Sequence, residues 1–177
     1  TAGRGSMHSV QDARVKKTRR FFENRIEFLS QLFKEIKSSV KSAAKKQINS
    51  CFRLNLTSDL PWENMVVKHF PDSQFYDYTK HLKRFVAYLE GKLPDNYHLT
   101  YSRDETTPDT LVQSLCASGG NVAVVFRGSL PKTWLGIEVI DGDDSDLRFK
   151  DGNGKIVGLL EKGLAKKDET GFVVEPC

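Results

Sequence analysis

The sequence has little cysteine, and its few cysteines are scattered. Cys51, Cys116 and Cys177 are the three cysteines, and no pair of them has C-x-x-C spacing. This arrangement argues against a disulfide framework and against a metal site built from the cysteines of this chain. A reducing, cytoplasmic location is therefore the expectation.

Long apolar runs and familiar catalytic motifs are also missing. No segment approaches 18 consecutive apolar residues, so no membrane-spanning helix is predicted, and there is no signal-peptide pattern. Walker, Rossmann, zincin and nucleophile-elbow motifs are absent from the sequence as well. We therefore expect no membrane partner, and no motif identifies a reaction.

What is present is the composition of a folded domain. The 177 residues are 38% apolar and 28% charged, which predicts a single domain over residues 1–177. Residues 1–50 hold 12 Lys and Arg against 4 Asp and Glu, so they carry +8, whereas the whole chain carries +4 and the rest −4. Such a basic N-terminal segment is typical of proteins that bind nucleic acid, and it is also typical of a helix face exposed to solvent.

Two helices are predicted in this basic N-terminal segment, over about Val10 to Arg20 and Asn24 to Gln47. The second has apolar residues spaced 3, 4, 3, 4 and 3 apart, which indicates one buried face. These apolar residues are Ile26, Leu29, Phe33, Ile36, Val40 and Ala43. Lysines largely occupy its other faces, namely Lys34, Lys37, Lys41, Lys45 and Lys46.

The body, residues 51–177, alternates strand and helix patterns. The predicted strands are 51–56, 73–78, 97–101, 122–126 and 137–140, and the predicted helices include 81–89 and 108–117. This alternation predicts parallel strands joined by right-handed crossovers. Near the end, the turn-forming residues 151–154 predict a β-hairpin between 147–150 and 156–160. The expected fold is α/β, with an N-terminal helical pair followed by an open or partial parallel β/α barrel and a C-terminal β-hairpin.

Polar residues follow the predicted strands, and the carboxyl ends of parallel strands share one edge of a sheet. We therefore expect a polar site at that edge. The residues assigned to catalysis are Asp59, Asp77, Lys80 and Ser102. The residues assigned to ligand binding are Asn55, Ser58, Trp62, Arg127 and Arg148.

Two of the assigned catalytic groups also have a structural interpretation. Asp59 is expected to act as a ligand or base beside Trp62, which could stack on a nucleobase, or else to cap a helix. Lys80, close to Asp77, is expected to serve as a general base or phosphate contact, or else to form a structural ion pair.

An acidic loop follows the predicted strand at 137–140. Asp141 and Asp143 come directly after that strand and offer the oxygen ligands that Mg²⁺ and Ca²⁺ prefer, so a divalent metal is a possible cofactor. The alternative is an exposed acidic turn.

Several segments carry a resemblance to a known family. They are Ala2-Gly3-Arg4-Gly5, Ser9-Val10-Gln11, Lys17-Thr18-Arg19, Arg53-Leu54-Asn55, Thr57-Ser58-Asp59, Trp62-Glu63, Phe75-Tyr76-Asp77-Tyr78-Thr79-Lys80, Tyr97-His98-Leu99-Thr100, Asn121 to Phe126, Ile140-Asp141-Gly142-Asp143 and Asp146-Leu147-Arg148-Phe149. In this order they resemble the gene product eighty-eight domain, a family of uncharacterised bacteriophage proteins, over nearly the whole chain. The resemblance implies a location in the host cell cytoplasm.

The resemblance also bears on cofactors. Family members usually carry a short cysteine-rich stretch just upstream of the segment that matches Ala2–Gly5, so this chain is expected to be an N-terminally truncated member or one that has lost that stretch. A cysteine cluster before a partial β/α barrel is similar to radical S-adenosylmethionine enzymes at the level of the fold. The resemblance therefore implies an iron–sulfur cluster only where such an upstream segment exists.

Two functions are compatible with these observations. The first is an enzyme or enzyme remnant whose strand-end site acts on a phosphate-bearing or nucleic-acid-related ligand. The second is a non-catalytic accessory protein that binds nucleic acid through its basic N-terminal helices.

Overall fold

A computed structural model describes residues 7–176 of the chain, and the Ala2–Gly5 motif and Cys177 lie outside them. The chain divides into two compact units. One comprises the residues up to Ser50 together with Lys162–Leu164, and the other comprises Cys51–Glu161 and the residues from Ala165 onwards. The expectation of a single domain stays a prediction.

The first unit contains the two predicted helices, α1 (His8–Glu23) and α2 (Arg25–Lys45). Phe21 near the end of α1 is buried and meets Phe28 of α2 edge-on, with ring centroids 5.5 Å apart. The apolar stripe of α2 is buried or half-buried from Leu29 onwards, but Ile26 is 87% exposed. The buried face of α2 therefore begins one turn later than the spacing predicts.

The second unit is built on one sheet. Its strands are β1 (Cys51–Phe52), β2 (Gln74–Thr79), β3 (Tyr97–Ser102), β4 (Asn121–Phe126), β5 (Thr133–Trp134), β6 (Ile137–Asp141), β7 (Ile156–Leu160) and β8 (Val173–Val174). Its α-helices are α3 (Trp62–Met65), α4 (Leu82–Leu89) and α5 (Asp109–Ala117), with 3-10 turns at Val67–His69 and Arg148–Lys150. A further 3-10 turn, Gly163–Lys167, begins in the segment grouped with the first unit. No helix of the described chain combines the length and hydrophobicity that a membrane span requires.

The sheet is mostly parallel and centred on the apolar run of β4. The strand order is β1-β2-β3-β4-β7-β6-β5, and β5 is antiparallel to β6. Pairing of β3 with β4 ends at Ser102 and Ala123, and β8 then pairs with Val125 and Phe126. The last strand therefore pairs with the centre of the sheet, where β4 no longer pairs with β3.

The barrel is not confirmed. The hydrogen-bonded path runs from β1 to β5 and does not close within residues 7–176. The mixed α/β class with a helical N-terminus and an open sheet is what the structure supports.

The predicted C-terminal hairpin is wrong. Gly152 and Gly154 do adopt positive φ values of 76° and 70°, as a turn requires. However, Arg148–Lys150 forms a 3-10 turn rather than a strand, and β7 pairs in parallel with β4 on one side and β6 on the other. Both edges of β7 are therefore occupied, which leaves no edge for a hairpin partner.

The hairpin that does form joins β5 to β6. Its two connecting residues, Leu135 and Gly136, have φ values of 54° and 79°. Two consecutive positive values are the signature of a tight hairpin turn, which usually selects Asn or Gly. Leucine rarely adopts this conformation, so the pair Leu135-Gly136 did not predict a tight turn.

Candidate functional site

The loop after β1 is organised by the side chain of Asn55, which is 2% exposed. Its Oδ1 accepts hydrogen bonds from Ser58 Oγ at 2.8 Å, Leu60 N–H at 3.0 Å and Trp62 Nε1–H at 2.9 Å. Its Nδ2 donates to the Leu60 carbonyl at 2.9 Å. The structure therefore brings three predicted ligand-binding residues together, but in bonds with one another. Trp62 is 4% exposed, so its ring faces are covered by packing.

A buried arginine on α4 connects this loop to the sheet. Arg84 Nη1 donates to Asp59 Oδ1 at 2.7 Å, and Nη2 donates to Glu63 Oε2 at 2.8 Å. Nη2 also donates to Tyr97 Oη at 2.6 Å, and the Tyr97 hydroxyl donates to Asp77 Oδ2 at 2.7 Å. We call Asn55 and these five residues the Arg84 network.

Asp77 lies inside β2, within the strand predicted at 73–78, and is 1% exposed. Burial raises the pKa of its carboxyl to about 6, although hydrogen bonds from Tyr97 and from the Asn55 N–H oppose that rise. Asp77 is therefore a buried acid that titrates near neutrality. Its position in a fully bonded network leaves a catalytic role untested.

Asp59 is the other assigned carboxylate in this network. Besides Arg84, it accepts hydrogen bonds from Thr79 Oγ1 at 2.9 Å and from the Lys80 N–H at 2.8 Å. The exposed Lys80 ammonium lies 5.5 Å from the ring centre of Phe172. The structure thus joins Asp59 to the Lys80 backbone rather than pairing the Lys80 ammonium with Asp77.

Arg127 fastens the C-terminal segment to the end of β4. Its guanidinium donates to Glu175 Oε1 at 2.6 Å and to the carbonyls of Lys166 and Asp168 at 3.2 and 2.8 Å. These bonds account for its position after a buried strand. Ser102, also assigned to the site, is the half-buried last residue of β3.

The two aspartates assigned to a metal bind backbone groups. Asp141 Oδ1 accepts the N–H of Asp143 at 2.8 Å, and Asp143 Oδ2 accepts the N–H of Leu160 at 3.1 Å. Within residues 7–176 no group of three or more His, Cys, Asp or Glu side chains is arranged to hold a metal ion. The divalent-metal site stays a prediction.

Arg148 is the most deeply buried of the assigned ligand-binding residues, at 1% exposure. Its Nη2 donates to the Ser145 carbonyl, and its Nη1 lies 3.2 Å from Asp151 Oδ2. Nearby, Arg53 donates twice to Asp146, at 2.7 and 3.0 Å. We call Arg53, Tyr78, His98, Thr100, Asp146, Arg148 and Asp151 the Arg148 cluster.

Most members of this cluster were missed at the sequence level. One signal was available, because His98 and Thr100 are alternate polar residues within an otherwise buried strand. Alternate residues of a strand point to the same face, so they indicated a polar patch within the core. Arg53 and Asp151 gave no comparable signal.

The first unit carries a row of exposed lysines along α2. At about 100° per residue, Lys34, Lys37, Lys41 and Lys45 fall within an arc of about 80° that borders the apolar stripe, over a length of about 16 Å. All four are exposed, and in the part of the chain described here none of them takes part in an ion pair. We call them the lysine row.

Comparison with known proteins gives one family. No curated protein and no solved structure matches the chain. The family model described as Gene product 88, a family of uncharacterised phage proteins, matches residues 1–176. The chain therefore belongs to the gene product 88 family.

Proposed function

We propose that this protein binds nucleic acid through the lysine row of α2. The observation that carries the proposal is the alignment of four exposed lysine side chains on one side of a helix. Residues 1–50 as a whole hold +8, whereas the rest of the chain holds −4. Positive charge is therefore concentrated where the row lies, as expected for a surface that attracts phosphates.

The spacing of the row suits a phosphate backbone. Successive lysines are three or four residues apart, which places them about 5–6 Å from one another along the helix. Lysine acts as a point charge on a flexible stem, so it contacts phosphates without reading bases. We therefore expect binding that depends weakly on nucleotide sequence.

Salt dependence gives the sharpest test. A protein that neutralises four phosphates of duplex DNA is expected to show a log–log slope of affinity against salt of about −3.6. We would measure fluorescence anisotropy of labelled 20-base-pair and single-stranded oligonucleotides from 50 to 300 mM salt. Replacing the four lysines with glutamine should lower affinity at least tenfold and flatten the slope by 3 to 4, because four counterion-releasing contacts are lost.

A matched control has the same change in net charge. Lys68, Lys83, Lys132 and Lys150 are exposed lysines of the second unit, and their replacement by glutamine also removes four charges. This control should change affinity far less than the row variant. Equal losses in the two variants, or no binding by the unaltered chain, would contradict the proposal.

The second candidate function is an enzyme with its site at the strand ends. A cavity of about 560 Å³ favours it, since this volume lies in the range of small-molecule sites. It is lined by Asp109, Thr133, Trp134, Leu135, Gly136, Val174 and Glu175. Its lining includes two carboxylates, which would repel a phosphate, so it supports a phosphate-bearing substrate less well than the lysine row supports nucleic acid. Binding of a nucleotide that Asp109→Asn strengthens would favour the enzyme.

A further inference from the structure

The Arg148 cluster contains an unusual concentration of unsatisfied polar atoms. Among the residues that the structure describes, seven buried side-chain nitrogen or oxygen atoms have no hydrogen-bond partner. Six of them belong to the cluster. They are Arg53 Nε, His98 Nε2, Thr100 Oγ1, Arg148 Nε, Arg148 Nη1 and Asp151 Oδ2. The last two lie 3.2 Å apart as an ion pair but do not form a hydrogen bond. Buried polar groups in proteins are normally paired, so a group of orphaned atoms points to a missing partner.

The strand register brings these atoms to one face of the sheet. Tyr76 is paired with His98 and Tyr78 with Thr100 across β2 and β3, so these four side chains share a face. Arg148 belongs to the 3-10 turn Arg148–Lys150, and the ring of its neighbour Phe149 packs against Tyr76 with centroids 5.6 Å apart, which brings this turn to that face.

Arg53, which follows β1, contacts the same group of side chains. Its guanidinium lies 4.5 Å from the centre of the Tyr78 ring. It also binds Asp146, whose side chain is 54% exposed. Asp146 and Arg53 therefore mark the solvent side of the cluster, whereas Thr100 and Arg148 lie at its buried side.

The orphaned atoms call for a partner with many acceptors and one donor. The three arginine N–H groups only donate, and Asp151 Oδ2, when ionised, only accepts. The Thr100 hydroxyl can donate. His98 Nδ1 lies 3.1 Å from the Tyr88 hydroxyl, and when that hydroxyl donates to Nδ1, Nε2 carries the proton and donates. Five donors thus face one acceptor.

Charge further restricts the partner. Arg53 is offset by Asp146 and Arg148 faces Asp151, while burial and the charge of Arg148 lower the pKa of His98 to about 4 and keep it neutral. A fully ionised oxyanion would be repelled by Asp151. An oxyanion that retains a proton would instead donate that proton to Asp151 Oδ2 and accept from the other five atoms.

We propose that the Arg148 cluster binds a protonated phosphate group, with Asp151 selecting phosphate over sulfate. Phosphate carries a proton at neutral pH and sulfate does not, so only phosphate can donate to Asp151. The proposal is independent of the lysine row, because the two sites share no residue. Free phosphate keeps this proton throughout the neutral range, and a phosphate monoester on a larger ligand keeps it only in its singly charged form, because its second pKa is about 6.

Thermal unfolding tests the selectivity directly. The full chain would be melted at pH 7 in increasing sodium phosphate, sodium sulfate or sodium chloride of matched ionic strength. We expect a concentration-dependent rise in Tm with phosphate alone, because a ligand that binds only the folded state stabilises it. Equal effects of phosphate and sulfate, or none beyond chloride, would overturn the proposal and leave water as the partner.

Two variants of similar size and shape make the test specific. Thr100→Val keeps the shape of an unpartnered side chain, so it should fold normally and lose most of the phosphate response. Asp151→Asn can donate a hydrogen bond, so it should gain a response to sulfate. A phosphate response that is unchanged in Thr100→Val, or no gain of sulfate in Asp151→Asn, would count against the site.

Further measurements identify the source of the phosphate and separate this proposal from that of nucleic-acid binding by the lysine row. Thr79→Val, whose hydroxyl is bonded to Asp59, is the matched control and should keep the full phosphate response. At pH 6, where about half of a phosphate monoester keeps its proton, glycerol phosphate that stabilises as well as inorganic phosphate would assign a phosphate monoester, and a response to inorganic phosphate alone would assign the free ion. Thr100→Val should still bind the labelled oligonucleotides normally.

Discussion

The Arg84 network and the Arg148 cluster are both built around a buried arginine, and they differ in how completely the chain satisfies it. Arg84 donates to two carboxylates and a tyrosine hydroxyl, and within the described residues none of its network's buried side-chain polar atoms lacks a partner. Arg148 is more deeply buried, yet two of its three nitrogens have no hydrogen bond among the residues described.

This comparison distinguishes an arginine with a structural role from an arginine that could bind a ligand. A buried arginine with all of its donors used ties elements together, as Arg84 ties α3 and α4 to β2 and β3. A buried arginine with unused donors lowers the stability of the fold, since unpaired buried polar groups are unfavourable. A ligand that accepts hydrogen bonds from those donors would restore that stability. The unmatched donors, more than the burial, distinguish the Arg148 cluster.

The largest expected effect comes from removing each arginine in turn. Arg84→Met leaves the carboxylates of Asp59 and Glu63, whose side chains are only 23% and 5% exposed, without their arginine partner. It should therefore lower the free energy of unfolding by about 3–5 kcal/mol. Arg148→Met leaves Asp151 and the Ser145 carbonyl without this partner and should cost less, about 1–3 kcal/mol. Urea unfolding at pH 7 in chloride measures both, and an Arg148→Met loss equal to that of Arg84→Met would break the comparison.

The pH dependence of stability should differ in sign between the two clusters. The folded-state pKa of Asp77 is raised from 3.8 to about 6, so its contribution is fully present below pH 3.8 and is lost as pH rises to about 6. The loss amounts to about 3 kcal/mol. Asp77→Asn should remove this falling component, which is measured as the difference in urea unfolding between variant and parent across pH 4–6.

His98 should act in the opposite direction. Burial and the charge of Arg148 lower its folded-state pKa from 6.5 to about 4, so stability is fully present above pH 6.5 and is lost as pH falls to 4. The size is again about 3 kcal/mol. His98→Asn, measured without phosphate, should make stability fall more steeply with rising pH than in the parent. If Asp77→Asn and His98→Asn changed the slope of unfolding free energy against pH in the same direction, the pKa shifts assigned to Asp77 and His98 would be contradicted.

The smallest effect comes from two threonines on neighbouring strands. Thr79 Oγ1 donates to Asp59 and accepts the N–H of His81, so Thr79→Val should cost about 1–2 kcal/mol. Thr100 Oγ1 has no partner among the residues described, so Thr100→Val should change stability by less than about 0.5 kcal/mol in chloride. A Thr100→Val loss as large as that of Thr79→Val would show that its hydroxyl is already satisfied.

Local patterns predicted much of the fold. The spacing of apolar residues located α2, and the alternation of strands and helices located β2, β3, β4, α4 and α5 with parallel pairing. The missed features depend on distant pairing. The place of β8 beside β4, and the two occupied edges of β7, are not encoded in the local residues of either strand. The β5–β6 turn was missed because Leu135 adopts a conformation that leucine rarely takes.

The site was predicted less well than the fold for a related reason. Asp59 and Asp77 were chosen as free strand-end groups, but Arg84 lies 25 residues beyond Asp59 and no local spacing indicates that the two pair. Arg148 was chosen for ligand binding, whereas its surroundings come from strands 50 to 70 residues earlier in the chain. Sequence patterns identify reactive side chains, and only the folded chain shows which of them are already bonded.

The most direct test is a crystal structure with anions that can be located by anomalous scattering. Crystals would be soaked in arsenate, which retains a proton as phosphate does, or in selenate, which lacks one as sulfate does. The account predicts an anomalous peak from arsenate, and none from selenate, with oxygens about 2.7–3.2 Å from Arg148 Nε and Thr100 Oγ1. Ordered water in both crystals, or side chains of the cluster bonded to one another, would contradict it.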